Sequence, residues 1–377
     1  MTEREYRMCK RCVMDTSDPN IVFDENGICN HCKEYEQKLK IMGADNPIKA
    51  KEYVGEMIKK IKKNGKGKPY DCVIAFSGGA DSTYTVHWAY TNGLRAVLIA
   101  VDDGWGLKEQ MENIEKVADK TGFPLEVFKV NQAEINDLYK SFILANVIDI
   151  EMPIDQVLQA VFIKTAQKYG VKYILTGSNI QTEGIMAKDW AFNKQDLKNI
   201  LDIHKKFGTV ELKNYPMINP WKLYWYRLTK SIQYFKPLWF IKYDREEAVE
   251  FFKKEYDWVP YGKNSESLFT RFDKRVILPC KFGVDKIRGN YSAMIMSGQM
   301  TRSEAKFNLK NDVDGYNPKE QWIEDTKAFC DKLGISREWF INDYIFAKRV
   351  PHTDYAYHAW LYKTIGMLKW IRNKLLR

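Results

Sequence analysis

The tightest constraint on the fold of this chain lies between Asp71 and Thr83. Asp71-Cys72-Val73-Ile74-Ala75-Phe76 is a short continuous apolar run, of the kind that fills a strand buried on both faces of a parallel sheet. The run breaks at Ser77-Gly78-Gly79-Ala80-Asp81-Ser82-Thr83. Tyr84 to Tyr90 then continues with apolar and aromatic residues until Thr91-Asn92-Gly93 supplies a helix stop. Strand, glycine-rich turn and helix in that order place the first N–H groups of a helix, and the positive end of its dipole, where phosphate oxygens bind. Ser77, Ser82 and Thr83 add hydroxyl donors. Asp81 is the odd member, because a carboxylate repels phosphate unless a cation lies between them; it is expected to act on bound Mg2+, directly or through water. An ordinary strand-to-helix turn with a capping Asp or Ser has a similar sequence, so the loop alone leaves that alternative open.

Further elements repeat the pattern. Ala96 to Val101 reads as a second strand, ending at Asp102-Asp103-Gly104-Trp105; Leu125 to Val130 alternates as a third; Tyr173-Ile174-Leu175-Thr176 makes a fourth, ending in Gly177-Ser178-Asn179. Helices over Leu107 to Thr121 and Ile154 to Tyr169 supply crossovers. The expectation is an α/β fold, an open parallel sheet with helices on both faces, with ligands outside the carboxyl ends of the strands.

The loop is not a Walker A motif, because no lysine follows the glycines. It resembles instead the PP-loop signature S-G-G-x-D-S of ATP pyrophosphatases (adenine nucleotide alpha hydrolase-like fold), such as GMP, NAD and asparagine synthetases and tRNA-modifying enzymes. The resemblance implies cleavage of ATP between its α and β phosphates and an adenylated intermediate. It also implies that Val101-Asp102 contacts the adenine or ribose and that Gly177-Ser178 closes the nucleotide pocket. The ATP-binding candidates are thus Ser77, Gly78, Gly79, Ala80, Asp81, Ser82, Thr83, Val101, Asp102, Gly177 and Ser178.

Four of the seven cysteines fall in the first tenth of the chain. Cys9-Lys10-Arg11-Cys12 and Cys29-Asn30-His31-Cys32 form two C-x2-C pairs with sixteen residues between them, the spacing of a four-thiolate zinc site. Turn residues flank the apolar run Ile21-Val22-Phe23, as a ribbon hairpin requires. An iron–sulfur cluster or two disulfides are the alternatives, and His31 is expected to be a bystander. Four protein ligands leave no open coordination position, so structural Zn2+ is expected, supplying folding energy to a segment too short for its own core.

With 45% hydrophobic and 29% charged residues, and no apolar run near the length of a membrane span, the chain reads as a cytoplasmic globular protein without membrane insertion. Lys and Arg exceed Asp and Glu by 59 to 49, a net charge of +10 that favours anionic partners. The densest basic run, Lys59 to Lys63, reads as a solvated helix end. The organisation expected is a zinc knot over residues 1–40, a helical linker over 41–68, the ATP-binding domain over 69–220 and a mostly helical substrate or partner domain over 221–377. In the last, dense aromatics from Trp221 to Tyr243 suggest helix packing, and Lys263, Arg271, Lys281, Lys286 and Arg288 are cations suited to an anionic ligand.

Cys12-Val13-Met14-Asp15-Thr16-Ser17-Asp18-Pro19, the loop Ser77 to Ser82, Asn219-Pro220-Trp221-Lys222 and Ser297-Gly298-Gln299-Met300-Thr301-Arg302 together resemble the bacterial N-acetyl-sugar amidotransferases of O-antigen lipopolysaccharide and nonulosonate pathways. Where that family carries K-H-x-E-S, this chain has Lys263-Asn264-Ser265-Glu266-Ser267, and Asn290 stands where a histidine is typical. The resemblance implies ATP-dependent conversion of the acetamido group of a nucleotide-linked sugar to an acetamidino group. Asp81, Lys281, Lys286 and Arg288 are then the catalytic candidates, and Lys263, Glu266 and Arg271 the substrate-binding ones. It also implies ammonia from a HisH-like partner glutaminase, with a HisF-like barrel subunit as a conduit. A PP-loop tRNA thiolase is the nearest rival, since some carry cysteine-rich knots, but no C-x-x-C follows residue 32 here. An adaptor that binds nucleotide without catalysis is a third reading.

Overall fold

The strand pairing follows from the apolar runs. In the computed structural model, which describes residues 5–261, 267–311, 320–360 and 364, β1 (Cys72–Ala75), β2 (Ala96–Asp102), β3 (Leu125–Lys129), β4 (Tyr173–Thr176) and β5 (Gln233–Phe235) form one parallel sheet in the order β3-β2-β1-β4-β5. Val73 lies opposite Val97 on one side and Ile174 on the other. From β1 the chain runs outward through β2 to β3, then returns past β1 to β4 and β5. The connections leaving β1 and β4 therefore diverge, and a crevice opens between them at the carboxyl edge, the switch point at which ligands bind in such sheets.

In chain order the helices are α1 (Asn30–Met42), α2 (Pro47–Gly65), α3 (Ala80–Thr91), α4 (Lys108–Thr121), α5 (Gln132–Leu144), α6 (Met152–Lys168), α7 (Ile180–Glu183) and α8 (Leu197–Phe207). Then follow α9 (Pro220–Thr229), α10 (Arg245–Tyr256), α11 (Leu268–Phe272), α12 (Leu278–Phe282), α13 (Lys286–Ser297), α14 (Arg302–Asn311) and α15 (Glu320–Leu333). Side chains alternate across the sheet with period two. Val73, Val97, Ile99 and Ile174 face a core with α5, α6 and α8; Ile74, Leu98, Ala100 and Leu175 face a second core with α2, α3, α4 and α10.

Three expectations need correction. The segment expected as a helical linker is a structural helix: Asn46 caps α2 by accepting from the N–H groups of Ile48 and Lys49, and Val54, Met57 and Ile61 pack against the sheet. Its lysines at 59, 60, 62 and 63 are exposed, as expected of a solvated face. The sheet extends past residue 220, the expected end of the ATP-binding domain, because β5 pairs with β4; its three residues are too few to show a period. The end of the chain is not separate from the sheet either, since Phe269, Phe272 and Phe329 join the same core as Val73 and Ile174. Between the cysteine pairs the ribbon is reduced to single bridges, Met8 with Asp15 and Phe23 with Cys29. Among the described residues no helix is long and apolar enough to cross a membrane.

Candidate active site and metal centre

At the switch point the loop after β1 turns through Gly78 at φ +76°, where an added Cβ would meet the Gln110 carbonyl at 2.7 Å. Gly79 is the N-cap of α3, so the first N–H groups of that helix have no intrahelical partner. Ser82 Oγ donates to the Gly79 carbonyl (2.9 Å) and lies 3.1 Å from Ser77 Oγ, which shapes the loop from inside. Gly177, at the end of β4, approaches so closely that a Cβ would fall 2.6 Å from the Ser82 nitrogen. The loop, the ends of β2 and β4, and faces of α6 and α13 enclose a cavity of about 1010 Å³.

Ser77, Gly79, Ala80, Asp81 and Ser82 line this cavity, as do Val101, Asp102, Gly177 and Ser178. Gly78 and Thr83 do not: Gly78 makes the turn behind the wall, and Thr83 is fully buried one turn into α3. The carboxylate of Asp81 is held from both sides. Tyr243 donates its hydroxyl to Oδ1, and Asn179 Nδ2 donates to Oδ2 at 2.8 Å. Asn179 is itself oriented, since its Oδ1 accepts from the Thr182 N–H (2.7 Å) and hydroxyl (3.0 Å). Burial and the neighbouring Asp81 push the Tyr243 phenol far above its usual range, so it is a permanent donor. Asp81 lines the cavity, and a carboxylate there is the hard oxygen donor that suits a cation such as Mg2+.

The cations expected to serve catalysis lie elsewhere. Lys281 donates to the carbonyls of Tyr344 and Ala347 (2.9 Å for the latter) and sits over the Tyr344 ring; burial pushes its amine down to about 8. Arg288 pairs with Asp15 at 2.8 Å and donates to the Val13 carbonyl at 2.9 Å, fastening the cysteine knot to α13. Arg271 makes a two-pronged pair with Asp325 on α15, at 2.9 and 2.7 Å. Lys286 is buried within electrostatic reach of Asp149, Glu151 and Asp273, and none of these four cations lines the cavity. Lys263 and Glu266 lie outside the described residues.

Three other cations line the cavity, of which Lys108 is exposed and paired with Glu112 at 3.3 Å. Lys236, just past β5, and Arg245, the first residue of α10, line the cavity, and among the described residues neither pairs with a carboxylate. Burial pushes the Lys236 amine down, against the opposing pull of Glu183. Lys236 sits over the Trp239 ring, 5.1 Å from its centroid, and a partly desolvated cation of this kind gains from an incoming anion. Lys236 was not legible because β5 was not.

The four cysteine sulfurs are fully buried and lie within 4.8 Å of one another, with Cys9–Cys32 at 3.9 Å, Cys12–Cys29 at 3.6 Å and Cys29–Cys32 at 3.7 Å. A tetrahedral ion with Zn–S bonds of about 2.3 Å requires sulfurs about 3.8 Å apart. The donor set therefore fits one zinc ion, whereas the thiolates of an iron–sulfur cluster are spread over two or more irons. N–H groups of Arg11, Cys12 and Cys29 donate to Cys9 Sγ at 3.3–3.4 Å, as suits a thiolate. His31 is no ligand: its Nε2 meets Asp18 Oδ2 at 2.6 Å.

The block Ser297 to Arg302 joins the two centres. The Arg302 guanidinium donates to the carbonyls of Cys9 (2.7 Å) and Cys12 (3.0 Å); three residues earlier, Gln299 Nε2 donates to the Tyr243 carbonyl (2.6 Å), and Tyr243 holds Asp81. Phe in place of Tyr243 keeps the ring packed edge-on against Tyr84 and removes only the donor. A hydrogen bond to a charged group contributes about 1.5–3 kcal/mol. Tyr243→Phe is therefore expected to lower the rate of ATP turnover at this loop by about tenfold or more, with at most a small drop in melting temperature; an unchanged rate removes Tyr243 from the site.

The remaining cysteines stand apart from the cavity. Cys72 and Cys330 are buried, which pushes their thiols upward, the latter to about 11, Cys280 is exposed, and none of the three lines the cavity.

Residues 266–369 match the family model described as LPS biosynthesis protein WbpG-like, C-terminal domain. No curated protein matches the chain. Among solved structures, it is similar to a predicted subunit of tRNA methyltransferase from Methanocaldococcus jannaschii, with TM-score 0.29, 16% identity, and coverage of 48% of this chain and 75% of that one. It is similar to NMN synthetase from Francisella tularensis, with TM-score 0.32, 14% identity, and coverage of 80% and 98%. NH3-dependent NAD synthetase from Campylobacter jejuni gives TM-score 0.35, 10% identity, and coverage of 72% and 98%.

Proposed function

We propose that this chain is an ATP-dependent carbon–nitrogen ligase of surface-polysaccharide biosynthesis, converting the acetamido group of a nucleotide-linked N-acetyl sugar to an acetamidino group. The observation that carries the reading is the lysine-free loop Ser77 to Ser82, set at the switch point of a parallel sheet with the Asp81 carboxylate clamped toward a large cavity. The LPS biosynthesis family over residues 266–369 supports the pathway. The resemblance of the loop and of the Ser297 to Arg302 block supports the acetamido substrate.

In this reading the acetamido oxygen attacks the α-phosphorus of ATP, pyrophosphate departs, and ammonia adds to the activated carbon and expels AMP. The N–H groups at the start of α3 receive phosphate oxygens. Asp81 would hold Mg2+, directly or through water, and such an ion would supply neutralising charge to the phosphates. Lys236 and Arg245 stabilise the departing pyrophosphate, taking the role expected of Lys281 and Arg288. The four cysteines would hold a structural zinc ion, which would supply rigidity to the segment whose Cys9 and Cys12 carbonyls Arg302 grips. Ammonia comes from a partner glutaminase, because Cys72, Cys280 and Cys330 lack the low-pKa setting such a nucleophile needs. The test is AMP release from ATP, Mg2+ and ammonium on adding nucleotide-linked N-acetyl sugars; a response to tRNA and a sulfur donor, with none to sugars, overturns the reading.

A further inference from the structure

The cavity of about 1010 Å³ lies at the top of the range of about 300–1,000 Å³ that holds a single drug-sized ligand. Its walls differ in chemistry. The loop, Lys236 and Arg245 form one that suits phosphate. The wall built by α6 and α13 carries no unpaired cation. Its polar side chains are Asp155, Gln159, Asn290 and the phenol of Tyr291, set among the apolar Leu158, Phe162 and Met294.

Gln159 and Asn290 make no side-chain hydrogen bond with any described residue, so each presents a carboxamide with two donors and an acceptor to the cavity. Asp155 is held by Lys194, whose Nζ lies 2.5 Å from Oδ2, and Lys194 in turn reaches Asp149 at 3.8 Å. That pairing orients the carboxylate and offsets part of its charge, leaving an acceptor for hydroxyl or amide N–H groups. A phosphate finds no donor pair on this wall except the carboxamides, and it meets the Asp155 oxygens. A neutral ligand with several hydroxyls, an amide and an apolar ring face matches all of it.

We propose that Asp155, Gln159 and Asn290 form the acceptor subsite and hold the N-acetylated sugar ring, as distinct from its phosphates, beside the ATP position. This rests on the amidation reading and assigns its substrate-recognition residues. The three are binding residues, and their loss weakens acceptor affinity while leaving the nucleotide wall intact.

The test is calorimetric titration of the full-length protein with two probes, α,β-methylene-ATP with Mg2+, and UDP-N-acetylglucosamine or UDP-N-acetylgalactosamine. UDP and free N-acetylglucosamine serve as separate arms. Asn290→Leu and Gln159→Leu are expected to weaken the sugar nucleotide by about tenfold each, in line with removal of one or two hydrogen bonds, and to leave the ATP analogue within about twofold. UDP alone is expected to bind the variants as it binds the wild type. Asp155→Asn, which keeps the shape and unbalances Lys194, provides a variant with altered charge if a leucine variant fails to fold. Variants that bind the sugar nucleotide like the wild type overturn the subsite and leave the amidation reading standing. Loss of the ATP analogue instead shows that this wall holds nucleotide, which also overturns it. Wild-type protein that binds the ATP analogue and neither sugar nucleotide overturns both the subsite and the amidation reading.

Discussion

Asp81→Ala is expected to reduce AMP formation by about 10³-fold or more, with little change in the melting curve. Asp81 is the carboxylate of the loop, and Tyr243 and Asn179 fix both of its oxygens. Alanine removes the group proposed to hold Mg2+ and leaves two donors facing the cavity without their acceptor. Positioned charges aimed at a reacting phosphate are commonly worth about 10²–10³ in rate each, and here the metal is lost with the carboxylate. Asp81→Asn separates shape from charge, because it keeps both the volume and one acceptor; it is expected to be nearly as inactive. Either variant retaining more than about a tenth of the wild-type rate contradicts the assigned role. The measurement is AMP released per enzyme under saturating ATP, with circular dichroism melts confirming the fold.

The second large effect is expected at the cysteine knot. Apparent binding energies of structural zinc reach about 10–16 kcal/mol, more than the whole stability of most domains. Cys9 lies at the centre of the knot, accepting from three N–H groups through its sulfur and from Arg302 through its carbonyl. Cys9→Ser is expected to yield mostly insoluble protein, with the soluble remainder lacking zinc. Chelation of the wild type is expected to lower its melting temperature and then its activity, because Arg302 and Gln299 link the knot to Tyr243. Metal content by elemental analysis and a thermal melt check both. A soluble Cys9→Ser protein with bound zinc and full activity contradicts the structural role.

The central sheet was legible because its signal is local. β1, β2 and β4 are continuous apolar runs bounded by turn residues, as buried parallel strands require, and the half-exposed edge strand β3 alternates instead. The loop was legible for the same reason, because Gly78 at positive φ and the approach of Gly177 leave room for no other residue. β5 escaped notice because three residues show no period, and Lys236 went with it. The charges of the later helices were misplaced for a different reason. Charge type shows what a lysine or arginine can bind, and only the fold shows what it meets. Arg271 meets Asp325, Arg288 meets Asp15, and Lys281 meets two carbonyls of a later turn. The block Ser297 to Arg302 was visible as a motif, while its work, linking Cys9 and Cys12 to Tyr243, depends on contacts across more than 50 residues of chain.

The most direct measurement of the central claim follows the acetamido oxygen. A nucleotide-linked N-acetyl sugar labelled with heavy oxygen in its acetamido carbonyl is incubated with the protein, ATP, Mg2+ and ammonium, and the products are weighed. The account predicts one AMP per turnover carrying the label, pyrophosphate, and a sugar nucleotide lighter by the difference between an oxygen and an NH. ADP as the nucleotide product, or AMP without the label, contradicts it.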